Sequence, residues 1–287
     1  MRKHFAALLL LVLSAVAASA AQQAQPAAQK EVVVFGQKIR YLEAGSGPTV
    51  ILLHGLGGNG QSWAFSVGPL AAKYHVVVPD QLGFGNSDKP VINYRVRTYV
   101  DFLAEFYKQL KIERATLVGH SMGGWIAAAF TIAFPDKVDR LVMADAAGYA
   151  PPANFDYKSL YNLNPSTREG MKQLAARVFF NKSFSSDAMV DQLLAQRMSA
   201  GDGYTINSLI ESVGRREDFL DGQLGKIKVP TLIVWGREDG LVLLTEGERL
   251  KQDIPHAKFV VFDRCSHFPQ IEKAGEFNVA VLEFLKQ

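Results

Sequence analysis

The chain has 287 residues, of which 48% are hydrophobic and 21% charged, the balance of a globular protein with length for one large domain or two small ones. Its formal charge is +3, and setting aside Arg2 and Lys3 leaves 29 basic against 28 acidic residues, so net charge excludes nucleic acid or an anionic membrane surface as a charge-driven partner. Cys265 is the only cysteine, which excludes an internal disulfide and leaves stability to a large core.

In chain order, the first element is not structural. "MRKHFAALLLLVLSAVAASA" joins a basic start, a short apolar run and the Ala18-Ser19-Ala20 cleavage pattern, the three parts of a secretory signal. The apolar run is shorter than the ~20 residues a membrane-spanning helix needs. Residues 1–20 are therefore read as a signal peptide and 21–30, polar and low in complexity, as a flexible leader. The mature chain is expected in the periplasm or medium, with no membrane attachment after cleavage.

Short β-branched runs follow at 31–36, 38–45, 49–55, 75–80, 115–120, 139–145, 231–236 and 258–263. The first two flank Gly36-Gln37 and predict a hairpin. The others are nearly continuous apolar runs, as parallel strands covered on both faces require. Helical patterns alternate with them. Residues 98–110 put Tyr99, Phe102, Leu103, Phe106 and Leu110 on one face, 121–134 starts straight from a strand and stops before Pro135, and 243–254 and 275–286 accompany the last strands. The expected fold is α/β: a mostly parallel eight-stranded sheet with helices on both faces.

No strand pattern appears from Tyr149 to Gly225. Ser166 with Glu169 predicts a capping box ahead of "REGMKQLAARVFF", and 185–198 and 204–214 are helical too. The expected organisation is a core of 31–148 and 226–287 with a helical cap, 149–225, over the strand ends where such sheets bind ligands. Phe155, Phe179 and Phe180 are read as cap core, with pocket lining as the alternative.

The chemistry starts at "LVGHSMGG". Gly119-His120-Ser121-Met122-Gly123 fits G-x-S-x-G between a predicted strand and a predicted helix, the setting of a nucleophile elbow. The serine needs a base. His267, in the loop after the last strand, is assigned that role. Asp239, three residues after Gly236, is assigned the role of orienting the imidazole, giving the chain order Ser…Asp…His. Glu238 is its adjacent competitor, and Asp145 at the end of strand 139–145 is a second candidate. "LLHGLGGNG" (52–60) supplies one oxyanion donor, the backbone N–H of Leu56 with Gly57 close behind, and Met122 N–H the other. Cys265, two residues from His267, is read as a small buried apolar residue.

These motifs together with "DQLGFGNSDKP" (80–90), "PDKVDRLVMADAAG" (135–148), "WGREDGLV" and "SHFPQIE" resemble the α/β-hydrolase fold superfamily from about residue 33 to the end. The resemblance implies a serine hydrolase of small or medium carboxylic esters, with no metal and no organic cofactor. Dehalogenases and epoxide hydrolases of the fold use an aspartate where Ser121 stands. C–C hydrolases of ring-cleavage products share the "GG" and "DAAG" features but usually carry asparagine at His120 and tryptophan at Phe268. A C–C or lactone hydrolase, a cofactor-free haloperoxidase and a ligand-binding receptor with vestigial turnover are the alternatives. Ser266 replaces the family's frequent glycine and carries no functional assignment.

Overall fold

A computed structural model of the chain describes residues 27–287; the expected signal peptide and the leader up to Gln25–Pro26 lie outside the described residues. Eight strands, β1 (Ala28–Val34), β2 (Gln37–Ala44), β3 (Thr49–Leu53), β4 (His75–Pro79), β5 (Ala115–His120), β6 (Val138–Ala144), β7 (Thr231–Gly236) and β8 (Lys258–Phe262), form one sheet ordered β1-β2-β4-β3-β5-β6-β7-β8. Pairing is parallel from β4 through β8 and antiparallel at β1–β2 and β2–β4. The expected eight-stranded, mostly parallel sheet is what forms.

Two details at the start differ from expectation. β1 begins inside the stretch read as leader, because Ala28, Gln29 and Lys30 pair with Glu43, Leu42 and Tyr41. The hairpin turn is Phe35-Gly36, one residue earlier than predicted: Val34 pairs with Gln37, and both turn residues have positive φ, 49° and 78°. That is the two-residue geometry whose twist matches the strands.

Helices cover both faces. On one side lie α1 (Ala64–Ala71) and a C-terminal helix, Ala274–Leu285; on the other, α2 (Val96–Gln109) and α3 (Met122–Ala133). Strand alternation sorts the core between them. Val50 and Leu52 of β3 join Trp63, Val67, Leu70 and Phe277, whereas Ile51 and Leu53 join Phe102, Phe106 and Ile126. Phe134, before Pro135, leaves helical geometry at φ −135° and ψ 61°, as the proline ring demands.

Between β6 and β7 the chain makes α4 (Arg168–Val178), α5 (Asp187–Ala200) and α6 (Gly203–Gly214) and no strand. The capping box does not form. Thr167, not Ser166, caps α4 by accepting from Gly170 N–H, which puts glycine where the box needs Glu169. After β7 come α7 (Leu244–Asp253), then α8 (Pro269–Glu272) and α9 (Ala274–Leu285). Phe179 is buried and stacks on Phe184 and Phe268, with centroids 4.4 and 4.9 Å away; Phe155 and Phe180 stand exposed at the surface.

Candidate active site

The carboxyl ends of β5, β6, β7 and β8 bring the chemistry to one rim of the sheet. Ser121 links β5 to α3 with φ 54° and ψ −120°, a region non-glycine residues rarely occupy. Close packing holds it there. A Cβ on Gly119 would meet Gly123 O at 2.2 Å, one on Gly123 would meet Leu53 O at 2.2 Å, and one on Gly124 would meet the Ala146 Cβ at 2.5 Å. Ser121 N–H donates to Ala144 O at 2.9 Å, and Ser121 O accepts from the N–H groups of Gly124, Trp125 and Ala147. The strained turn is thus over-determined by β3, β6 and the first turn of α3.

His267 and Asp239 meet in the buried interior of the rim. His267 Nδ1 donates to Asp239 Oδ2 at 2.7 Å, which fixes the tautomer and leaves Nε2 as the basic nitrogen. That is the one side-chain hydrogen bond of His267 among the described residues; contacts from a base to its nucleophile commonly close only on substrate. Asp239 Oδ1 accepts from Leu241 N–H at 2.7 Å and Val242 N–H at 3.0 Å. Burial alone would raise the Asp239 carboxyl, but His267 and these donors hold it below its ordinary value.

The two proposed oxyanion donors come from different segments, the start of α3 and the loop after β3. Met122 is the first residue of α3, so its N–H has no intrahelical acceptor. Leu56 follows Gly55, whose Cβ would lie 3.1 Å from the Ser121 Cβ, so the loop runs against the serine turn. His54 anchors that loop. Its Nδ1–H donates to Gly55 O at 2.8 Å, its Nε2 accepts from Gln81 N–H at 3.0 Å, and Gln81 Nε2 donates to His54 O at 2.7 Å. Burial holds His54 below its ordinary pKa, in the neutral form this pattern needs. Asp80 adds support, accepting from Gly60 N–H and Asn86 N–H, both at 2.7 Å.

His120, Ser266, Arg177 and Arg197 support the site although the sequence assigned them no part in it. His120 Nε2–H donates to His267 O at 2.6 Å, and burial pushes its pKa down to about 3, so it is a neutral brace for the base. Ser266, given no role from sequence, ties the same loop to the end of α4 through Ser266 Oγ to Arg177 O at 3.2 Å, while His267 N–H donates to Val178 O at 3.0 Å. Arg177 Nε reaches Gly240 O at 2.7 Å beside Asp239. Glu238, the competitor for the acid's role, instead accepts from Cys265 N–H at 3.0 Å. From α5, Arg197 donates to Gly57 O at 3.1 Å and to the buried Asp202 at 2.7 Å. Cys265 is fully buried, and burial pushes its thiol up, away from thiolate chemistry.

A family model described as alpha/beta hydrolase fold matches residues 48–274. A 2-hydroxy-6-oxononadienedioate/2-hydroxy-6-oxononatrienedioate hydrolase of Cupriavidus pinatubonensis is 36% identical over 267 residues, 86% of this chain and 90% of the relative. The structure of a meta-cleavage product hydrolase from Pseudomonas fluorescens is 32% identical with a TM-score of 0.81, covering 90% of this chain and 97% of that one. A membrane phospholipase A structure is 28% identical with a TM-score of 0.79, covering 98% and 91%.

Proposed function

Because the chain belongs to the alpha/beta hydrolase fold family, we propose that Ser121, His267 and Asp239 make it a serine hydrolase of small or medium carboxylic esters. The observation that carries this reading is the 2.7 Å bond from His267 Nδ1 to Asp239, on the same sheet rim as a serine held at φ 54°. Ser121 Oγ attacks the acyl carbon and gives its proton to His267 Nε2. The tetrahedral oxyanion accepts the N–H groups of Leu56 and Met122, each donor contributing about 3–4 kcal/mol to the transition state. His267 then protonates the leaving alcohol, and water, activated by the same imidazole, releases the acyl group from Ser121. Asp239 stays ionised throughout and stabilises the imidazolium.

A second reading is favoured by the relatives. The 36% identical protein is named a 2-hydroxy-6-oxononadienedioate/2-hydroxy-6-oxononatrienedioate hydrolase and the 32% identical structure a meta-cleavage product hydrolase, whereas the 28% identical structure is named a membrane phospholipase A. The same serine and oxyanion donors serve either substrate. Departures at His120 and Phe268 from the usual asparagine and tryptophan weigh toward the ester. Initial rates on p-nitrophenyl esters of increasing acyl length, beside a 2-hydroxy-6-oxodienoate and the Ser121→Ala variant, separate the two. Ester turnover lost in Ser121→Ala is the expected result; turnover of the dienoate alone would transfer the chain to the C–C class. Export rests on residues 1–20, and sequencing the N-terminus of the mature protein, expected at about Ala21, tests it.

A further inference from the structure

One buried acid at the rim has no part in the chemistry above. Asp145 follows β6 with φ 43° and is wholly buried. Its Oδ1 accepts from Gly236 N–H at 2.9 Å, while its Oδ2 is buried without any donor among the described residues. One oxygen of Asp145, one of Asp239 and a ring nitrogen of His267 lie within 4.8 Å of one another. Asp239 already has three donors: His267 Nδ1–H and the N–H groups of Leu241 and Val242. Asp145 has one.

Two carboxylates this close in a dry setting do not both ionise. The charge belongs on the acid with more donors, and the proton on the other. We propose that Asp145 is a positioning residue, protonated at Oδ2, whose O–H donates to Asp239 and holds that carboxylate against His267. This rests on the reading of Asp239 as the acid of the triad. Gly236 N–H and the carboxylate of Asp239 then satisfy both ends of the Asp145 group, and the orphaned Oδ2 acquires a partner.

The groups facing Asp145 favour the neutral form. Burial raises its pKa well above the carboxylate range, followed by the charge of Asp239 and, from α8, Glu272; Gly236 N–H works the other way. Cys265, after β8, faces it as a thiol that burial pushes up and so keeps neutral. His267 faces the pair from the same loop, bonded to Asp239.

Asp145→Asn keeps an acceptor for Gly236 N–H and sets an amide N–H where the acid O–H stood. Infrared spectra of the full chain at pH 7 are expected to show a protonated-carboxyl C=O band in wild type and in Ser121→Ala, absent from Asp145→Asn. In kinetics, Asp145→Ala is expected to lower kcat tenfold or more with KM within twofold, and Asp145→Asn to restore most of that loss. A wild type without the band, or a band that survives Asp145→Asn, would overturn the proposal. So would an Asp145→Asn variant as inactive as Asp239→Asn, which would make Asp145 the charged acid. Should Asp145→Ala not fold, the infrared comparison of wild type with Asp145→Asn decides. Full turnover in Asp239→Asn would sink the triad reading itself, independently of the band, because the spectra need no turnover.

Discussion

At the residue scale, the site depends on missing side chains as much as on present ones. Gly123 touches the backbone of β3 and not a side chain that could swing away: a Cβ there would meet Leu53 O, Leu53 C and His54 O at 2.2, 2.7 and 2.7 Å. Gly123→Ala must therefore push the serine turn off β3. We expect a loss of about 1–3 kcal/mol, read as a Tm several degrees lower, and about 100-fold lower kcat/KM, since a displacement near 1 Å has that effect on positioned groups. Wild-type kinetics in this variant would show that the packing does not set the position of Ser121. Asp239→Asn is expected to lower kcat about 10⁴-fold, through the wrong imidazole tautomer, measured by initial rates beside Ser121→Ala. The glycine pattern was legible from spacing alone, because only a turn this tight excludes Cβ at both flanks of the serine. The roles of His120 and Ser266 were not, because each acts on the loop of His267, and their hydrogen-bonding partners lie at positions 267 and 177.

At the element scale, the segment between β6 and β7 is joined to the site through charges and backbone groups. Arg197 of α5 bonds Gly57 O in the loop that carries Leu56 and pairs with Asp202, whose side chain is 1% exposed. Arg197→Met would strand that carboxylate, and breaking a buried pair from one side costs about 3–5 kcal/mol. Urea unfolding of Arg197→Met should show that loss, and the double variant Arg197→Met/Asp202→Leu should recover most of it. Equal stability of the two variants would mean the pair is not what fixes α5 over the loop. The helices themselves were legible in the sequence, but nothing local marked Arg197, because Gly57 in the loop it holds lies 140 positions away. The cap of α4 was misplaced by one residue, since Ser166 and Thr167 are both competent caps and local sequence does not choose between them.

At the scale of the whole molecule, the buried ionisable groups set how stability follows pH. His54 and His120 are held neutral in the fold, the latter with a pKa of about 3, whereas free histidine titrates near 6.5. Their lowered values mean stability is complete above about pH 6.5 and falls as pH drops, because the unfolded chain takes up protons that the fold excludes. Asp145 acts in the opposite sense. Its raised value means the fold holds a proton that the unfolded chain releases above about pH 4, so its contribution shrinks as pH rises. Between about pH 4 and 6 the proton that Asp145 keeps in the fold offsets the one that His120 takes up on unfolding, about 1.4 kcal/mol per pH unit in each direction. Asp145→Asn removes the opposing group and should steepen the rise of stability with pH by about 1.4 kcal/mol per pH unit, as measured by urea unfolding across the range; an unchanged slope would show Asp145 ionised in the fold.

Periodicity and motif order were enough to establish the α/β class and the eight strands and to point to Ser121, Asp239 and His267 as candidates, because strand alternation, elbow glycines and chain order are local or sequential properties. Composition also set the charge balance and excluded a disulfide. Only the tertiary structure decided which acid faces His267, that Glu238 serves a backbone N–H, and that Asp145 lies against Asp239. Those outcomes depend on the carboxyl ends of β6, β7 and β8 being adjacent in the sheet, so that residues more than ninety positions apart share one dry space. Burial and the count of hydrogen-bond donors within that space then determine which carboxyl keeps its charge, and neither quantity exists until the strands have paired.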